Sequence, residues 1–243
     1  MKISVCIPMY NESRVIADTA RTLSAYMEEN FVNAQGERDY EILFSNDGST
    51  DGCDDIVRKL DLPGVRVVGY EKNHGKGCAV RTAMLESRGD IAMFTDADLA
   101  YGTEVIRRMA DTFDKEKDAD LVIGSRNLSE DGYAEYTPLR KLASKIYIKV
   151  LCFVGGFRLS DSQCGCKGFS RKAVEDIFSR MEVDGFAFDF EALLWADKLG
   201  YRIAEMPVSV KVHGESKVHV VRDTLKMLRD LGKMRRRIKN TKI

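Results

Sequence analysis

Two carboxylates one residue apart, Asp96 and Asp98, directly follow the apolar run 91–94. Two acids at the end of a buried strand can hold a hard divalent cation, and such a cation can bridge the phosphates of a nucleotide. Aspartate is also common in turns and at helix N-caps, and an isolated Asp-x-Asp more often has that structural role. The rest of the chain therefore has to decide between a metal site and a turn.

Residues in three further loops suit a nucleotide. Pro8 and Tyr10 offer a surface on which a base can pack. Glu12 and Asp47 can accept hydrogen bonds from a base or a ribose. Lys76 lies between two glycines at a predicted helix start, where the helix N-terminus also favours a diphosphate. The structural alternatives are strand-end packing for Tyr10, helix capping for Asp47 and a solvated loop position for Lys76.

The elements that must position these residues alternate along the first half of the chain. The hydrophobic pattern predicts helices between successive strands, and the predicted strands cover 3–7, 40–44, 65–70, 90–95 and 119–124. This order is typical of a Rossmann-like, mostly parallel α/β sheet with helices on both faces. Since loops that follow parallel strands gather at one edge of the sheet, we expect the residues above to converge there.

The second half is more irregular. We predict helices over 139–154 and 188–199, a short strand within 161–170, an extended segment over 203–212 broken at Pro207, and an amphipathic C-terminal helix after 220. Helix 188–199 carries Asp189 near its start, where the residue either contributes to the site or caps the helix.

Composition excludes several classes of protein. The chain has 243 residues with 38 basic and 38 acidic side chains, so no global field indicates nucleic-acid binding. Six scattered cysteines and three histidines make neither a zinc site nor a disulfide scaffold. The sequence opens on a strand rather than a signal peptide and contains no uncharged apolar run long enough to span a membrane. We therefore expect a cytoplasmic protein.

Taken together, the loop motifs resemble those of family-two inverting glycosyltransferases. The four that carry this resemblance are 7–12 (IPMYNE), 46–51 (NDGSTD), 73–77 (NHGKG) and 96–99 (DADL). Within that family the chain is similar to the polyprenyl-phosphate hexosyltransferases through 124–126 (GSR), 140–144 (RKLAS), 161–165 (DSQCG) and 214–217 (GESK). The 161–165 motif and 188–191 (FDFE) look closer to dolichyl-phosphate glucosyltransferases than to the mannosyl branch.

The resemblance implies a fold, an activity and a cofactor. The fold is the A-type glycosyltransferase fold, with one catalytic domain over 1–219 that divides into a nucleotide-sugar half, 1–125, and an acceptor half, 126–219. The activity is transfer of a hexose to a polyprenyl phosphate, with UDP-glucose favoured and GDP-mannose possible as donor. Mg²⁺ or Mn²⁺ would be held by Asp96 and Asp98, Asp98 being the first choice. Two alternatives stay open: an acceptor hydroxyl on a glycan or surface polymer, and a non-catalytic nucleotide-sugar-binding module.

The same resemblance assigns the acceptor side. Arg126 and Arg140, with Ser144 one helical turn later, match residues that hold the lipid phosphate, and a planar guanidinium suits that task. Surface exposure is the ordinary alternative for both arginines. An ionised phosphate needs no strong base, so Asp189 receives an orienting or metal-assisting role. The remaining substrate-binding candidates are Gln163, Lys211 and Lys217.

Two segments are candidates for peripheral contact with the cytosolic face of a membrane. Leu142, Ile146, Val150 and Val154 form one stripe of the helix over 139–154. The segment 220–243 is basic and carries its own apolar stripe, and each basic residue near an anionic surface is worth about 1 kcal/mol. The alternatives are core packing for the first helix, and a homo-oligomer contact or a solvated face for the second.

Overall fold

The computed structural model describes residues 1–133, 136, 138–211 and 231–242, and it describes side chains for all of these except 138–140. The strands are β1 (Ile3–Met9), β2 (Tyr40–Asp47), β3 (Val65–Tyr70), β4 (Ile91–Phe94), β5 (Leu121–Ser125), β6 (Lys167–Ser170) and β7 (Ile203–Pro207). The helices are α1 (Ile16–Asn30), α2 (Cys53–Lys59), α3 (Lys76–Glu86), α4 (Glu104–Lys115), α5 (Pro138–Gly155), α6 (Arg171–Phe178) and α7 (Phe188–Leu199). A further helix over 231–240, here called the C-terminal helix, follows the last undescribed segment.

The strands form one seven-stranded sheet in the order β3-β2-β1-β4-β6-β5-β7. The neighbours β1–β2, β1–β4, β2–β3 and β5–β7 are parallel, whereas β6 runs antiparallel between β4 and β5. Because β6 runs backwards, its first residue, Lys167, pairs with the last residue of β4, Phe94. The loop before β6 therefore reaches the same edge as the loops after the parallel strands.

Alternating side chains of the central strands feed two apolar layers. In β1, Val5 and Ile7 pack into one layer with α1, α2 and α4, while Cys6 packs into the other with α3, α6 and α7. In β4, Met93 and Phe94 divide in the same way. This two-residue period explains why the strands read as continuous apolar runs: both faces are covered by helices. The predicted mostly parallel sheet with helices on both faces is confirmed.

The prediction omitted α6. This helix begins directly after β6 without a loop, and Ser170, the last residue of β6, caps it by accepting the N–H of Ala173 at 3.3 Å. A strand that passes straight into a short helix lacks the turn residues that mark a boundary.

Helix α5 is only half covered. Ile148, Leu151 and Cys152 are buried. On its other side the exposed apolar side chains are Leu142 (57% exposed), Ile146 (55%), Val150 (42%) and Phe153 (85%). Core packing is therefore wrong for three members of the predicted stripe, while Val154 packs against the core.

The apolar side of the C-terminal helix, in contrast to that of α5, is covered by the rest of the protein. Its apolar residues Leu231, Met234 and Ile238 are buried in the layer that contains α3, α6 and α7. The prediction that this stripe faces a membrane, a partner or solvent is thus wrong for these three residues. Among the described residues, no helix is both long and apolar enough to cross a membrane.

Candidate active site

The loop after β4 holds the paired aspartates in an unusual backbone conformation. Leu99 lies in the left-handed region with φ 49°, which is costly for a residue that carries a branched side chain. Three hydrogen bonds within the loop stabilise this conformation. Leu99 N–H donates to Asp96 O at 3.1 Å, Ala100 N–H donates to an Asp98 carboxylate oxygen at 3.1 Å, and Gly102 N–H donates to Leu99 O at 2.7 Å. The loop fixes Asp98 at the sheet edge, where the residue is exposed although its carboxylate is partly desolvated.

Lys76 meets this loop from the start of α3. Its Nζ donates to Asp96 Oδ1. Burial works to lower the pKa of Lys76, but the carboxylates of Asp96, Asp189 and Asp98 together outweigh it and the pKa is raised, so the ammonium stays charged. Desolvation together with the charge of Asp96 raises the pKa of Asp98. One ammonium faces two carboxylates here and pairs directly with Asp96 alone, so Lys76 only partly neutralises the negative charge of the pair 96/98.

Asp47 ends β2 and organises the neighbouring loop. Its buried carboxylate accepts the hydroxyl of Tyr70 at 2.7 Å, the amide of Asn73 at 2.9 Å and the N–H groups of His74 and Gly75 at 2.9 and 3.0 Å. Asp47 is therefore not a helix cap. Instead it shapes the glycine turn that carries Lys76.

The loop after β1 lies beside the loop after β2. Asn11 N–H donates to Ser49 Oγ at 3.0 Å, and Thr50 N–H donates to Asn11 Oδ1 at 2.9 Å. Tyr10 is 43% exposed, so the strand-end packing alternative is wrong for its ring. Pro8, opposite Ser45 in the sheet, and Glu12 are half-buried on either side of it. The predicted nucleotide residues therefore follow neighbouring strands at one edge.

Asp189 enters the site from the first turn of α7. It accepts a hydrogen bond from Lys167 Nζ at 2.7 Å, and the same ammonium donates to Cys164 O at 2.6 Å. Lys167 is fully buried, with its Nζ 5.7 Å from the centre of the Phe94 ring. Burial raises the pKa of Asp189, and Lys167 only partly offsets this. The alternative that Asp189 caps α7 is wrong, since no side chain caps that helix.

Arg126 is held by a bidentate ion pair. Its Nε and Nη2 donate to the two carboxylate oxygens of Asp161 at 2.7 and 3.0 Å, and Asp161 is completely buried. The guanidinium lies 5.7 Å from the centre of the Tyr133 ring, and Lys145 of α5 lies 5.8 Å from the same ring. The arginine is thus not an ordinary surface residue, since only 13% of its side chain is exposed.

The remaining residues predicted to bind the acceptor lie on different segments of the chain. Ser144 lies half-buried on α5, and Arg140 belongs to the first turn of the same helix. The N–H of Gln163 donates to Asp161 at 3.0 Å. Lys211 joins the loop after β4, because its N–H donates to Ala100 O at 2.7 Å and its Nζ to Glu104 at 2.9 Å. Lys217 lies outside the described residues.

The donor set at 96/98 fits a hard divalent cation. In an Mg²⁺ or Mn²⁺ site that also binds a nucleotide, the protein usually contributes one or two carboxylates. Phosphate oxygens and water supply the other ligands. Among the described residues, no cluster of three or more His, Cys, Asp or Glu side chains is placed to hold an ion. Asp96 and Asp98 would therefore hold the cation only in part, with the nucleotide completing its coordination.

Sequence reasoning missed the partners of the charged residues. Lys167 and Asp161 each neutralise a predicted site residue, and neither was selected. Lys167 carried no local signal, because it opens the short strand Lys-Gly-Phe-Ser, where a lysine is ordinarily exposed. Asp161 lies within the matched 161–165 motif, but nothing local indicates that it pairs with a residue 35 positions away.

A family model for glycosyl transferase family 2 matches residues 4–178. The chain is 33% identical to a dolichyl-phosphate beta-glucosyltransferase of Trichomonas vaginalis over 88% of its own length and 65% of that protein. It is 31% identical to glycosyltransferase AglD of Haloferax volcanii, covering 93% of the chain and 36% of AglD. It is also 31% identical to the dolichyl-phosphate beta-glucosyltransferase of Dictyostelium discoideum, covering 96% and 73%.

Solved structures show the same architecture. The glucosyl-3-phosphoglycerate synthase of Mycobacterium tuberculosis, crystallised with Mn²⁺, UDP and glucosyl-3-phosphoglycerate, superposes with a TM-score of 0.70. The alignment covers 100% of this chain and 81% of that one at 19% identity, which bears on the fold alone. With the mostly parallel sheet and the family match, the chain belongs to glycosyl transferase family 2 and has the A-type glycosyltransferase fold.

Proposed function

We propose that this enzyme transfers glucose from UDP-glucose to a polyprenyl phosphate, with inversion and with Mg²⁺ or Mn²⁺. The observation that carries the proposal is the position of Arg126. Arg126 follows β5 and so lies at the same edge of the sheet as Asp96 and Asp98. Its guanidinium and the Lys145 ammonium both lie near the Tyr133 ring, and Lys145 is part of α5, the helix with an exposed apolar side. A phosphate bound near Arg126 would place a lipid chain beside that face.

The donor side follows from the loops after β1, β2 and β4. Tyr10 is available to pack on a base, and the turn shaped by Asp47 presents Lys76 to a diphosphate. When bound, the cation would neutralise charge that develops on the leaving nucleoside diphosphate. Lys76 contributes a second positive charge at the same place, so the chain's own part in catalysis is positioning and charge stabilisation.

The relatives support a lipid phosphate as acceptor. Two of the three relatives described above are named as dolichyl-phosphate beta-glucosyltransferases. A phosphate is already ionised at neutral pH and needs no proton removed before it attacks. In this mechanism Asp189, held by Lys167, orients groups at the sugar and removes no proton.

We place the enzyme on the cytosolic face of a membrane through α5. Its exposed apolar row is flanked by the exposed lysines Lys145 and Lys149, an arrangement that suits an interface with anionic lipid. One side of this helix is buried against the rest of the protein at Ile148, Leu151 and Cys152, so it would lie along the surface rather than cross it. Whether two copies associate is a separate question, answered by the mass of the protein in solution.

The test is turnover by the purified full chain. UDP- and GDP-sugars are offered with Mg²⁺ or Mn²⁺, with polyprenyl phosphate present or absent, and products are identified by mass spectrometry. We expect a lipid-linked hexose only when UDP-glucose, metal and lipid are together, and NMR should show a β-linkage from the α-linked donor. Absence of any lipid-linked sugar, while a known enzyme gives product in the same assay, refutes the proposal.

One observation favours a second candidate, transfer to a hydroxyl of a glycan. Asp189 is a nearly buried carboxylate whose pKa is raised by burial, and such a group is a better general base. Under this candidate Asp189→Asn nearly abolishes turnover while Arg140→Ala is mild. The lipid-phosphate proposal expects the opposite ranking, so both variants are measured with both acceptors.

A further inference from the structure

Glu191 is a fully buried carboxylate that the proposed chemistry does not use. It lies on α7, one turn after the start of the helix, and accepts three contacts from the backbone of the preceding segment. Glu182 N–H donates to its two oxygens at 3.1 and 3.0 Å, and Val183 N–H donates at 2.7 Å. Glu191 therefore fixes the backbone at 182 and 183, the first two residues of the segment 182–185, here called the 182–185 strap.

The positive charge that balances Glu191 comes from the C-terminal helix. Arg237 Nη2 donates to Glu191 Oε1, and Nη1 of the same guanidinium donates to Glu182. Arg237 is partly exposed, whereas Glu191 has no exposed surface. A buried charge that loses its partner has to protonate, admit water or move. The position of Glu191 and of the strap thus depends on a residue 46 positions away.

The 182–185 strap lies directly against the turn that carries Lys76. A methyl group added at Gly77 would be 2.5 Å from Val183 O, and one added at Gly75 would be 2.6 Å from Asp184 O. Cys78 N–H donates to Asp184 O at 3.2 Å, and Arg81 of α3 pairs with the Asp184 side chain at 2.7 Å. The strap therefore holds the first turn of α3, and any shift of the strap is transmitted to that turn.

We propose that Arg237 is a positioning residue for the nucleotide site. By neutralising Glu191 it keeps the 182–185 strap against the start of α3 and so holds Lys76 in place. The effect on the nucleotide rests on the proposed function, whereas the effect on the strap does not. The charged residues of the strap and α7 that face this contact are Glu182, Asp184 and Glu191, with Arg81 and Arg237 opposite them.

Arg237 is not needed to hold the C-terminal helix against the rest of the protein, because apolar side chains of that helix already do so. Leu231, Met234 and Ile238 are buried, and Lys198 of α7 donates to Lys239 O at 3.1 Å. We therefore expect the helix to stay docked when the guanidinium is removed. The loss should be felt at the strap rather than across the whole protein.

The experiment compares Arg237→Gln, Glu191→Gln, the double variant and the control Arg236→Gln. Arg236 is exposed on the same helix, so its variant loses the same charge without touching Glu191. Hydrogen exchange over 181–187 reports on the strap, exchange over β1 reports on the global fold, and calorimetry with Mn²⁺ measures the Kd of UDP. These readouts require no turnover.

For Arg237→Gln we expect faster exchange over 181–187 with β1 unchanged, and a Kd of UDP that rises roughly 2- to 30-fold. Arg236→Gln should match the wild type. In the Glu191→Gln background the Arg237→Gln change should add little, because the buried charge is already gone. Equal strap exchange in Arg237→Gln and Arg236→Gln, or an undiminished effect in the Glu191→Gln background, overturns the proposal.

If Arg237→Gln alone fails to fold, the double variant decides. A folded double variant supports charge neutralisation of Glu191, and an unfolded one overturns it. If the wild type does not bind UDP, the proposed donor is wrong, while strap exchange still tests the contact between Arg237 and Glu191.

Discussion

Replacing Leu142 and Phe153 of α5 with serine tests the proposed membrane face without touching the core. Both side chains already face solvent, at 57% and 85% exposure. Full burial of a leucine or phenylalanine side chain is worth about 1.5–3 kcal/mol. Scaled by the exposed fraction, lipid burial contributes about 1 kcal/mol for Leu142 and about 2 kcal/mol for Phe153. The sum of about 3 kcal/mol corresponds to a loss of vesicle affinity of about a hundredfold.

The assay is co-sedimentation with vesicles of phosphatidylcholine and phosphatidylglycerol at fixed salt. Leu85→Ser is the matched control for Leu142→Ser, because Leu85 is also an exposed leucine within a helix, α3, away from α5. Urea unfolding should change by less than about 0.5–1 kcal/mol in each variant, as expected for surface positions. The reasoning is refuted if the Leu142→Ser/Phe153→Ser protein sediments like the wild type, or if Leu85→Ser weakens binding equally.

Three further outcomes are expected. Asp98→Asn should lower metal-dependent turnover at least about a hundredfold, since the cation is worth several kcal/mol of charge stabilisation, and full activity at any Mn²⁺ concentration contradicts this. Gly77→Ala should lower the free energy of unfolding by about 1–3 kcal/mol in urea, because the added methyl meets Val183 O, while Gly185→Ala, which meets nothing within 4 Å, stays near neutral. Burial works to raise the pKa of Glu41, but hydrogen bonds from Ser4 and Arg88 and the charge of Arg66 lower it below 4.5. Its contribution to stability is therefore present above that pH and lost as the pH falls, so Glu41→Gln should be about 1.5–3 kcal/mol less stable than wild type at pH 7, with a gap that closes in acid.

The strands and most helices are predictable because their causes are local. In β1, apolar residues on both faces mark a strand covered by helices, and Val65–Tyr70 and Phe188–Leu199 have the predicted bounds. The place of β6 in the sheet has a different cause. Its antiparallel position between β4 and β5 depends on pairing Phe94 with Lys167, 73 positions apart, which no local pattern encodes.

The site shows the same division between local and distant causes. The family resemblance assigned Asp189 to the site, whereas the positions of Asp96 and Lys76 at one edge follow from the strand order and the loops. Their electrostatic partners do not, because Lys167 and Asp161 are brought in by tertiary contacts. Exposure was equally unpredictable for α5 and the C-terminal helix: both carry apolar stripes, but only the stripe of the C-terminal helix finds a covering layer.

Counting charges at the sheet edge explains why donor and cation should bind together. Three acids form ion pairs at this edge, Asp96 with Lys76, Asp189 with Lys167, and Asp161 with Arg126. Within the described residues, no lysine or arginine lies within ion-pair distance of Asp98, so the edge keeps an excess of negative charge. A nucleoside diphosphate brings further negative charge to this edge. Like charges placed this close together cost several kcal/mol unless they are neutralised. Under the proposed function the donor would need the cation to offset this charge, and the cation would need the phosphates to complete its ligands. We therefore expect UDP to bind this chain weakly in EDTA and tightly with Mn²⁺.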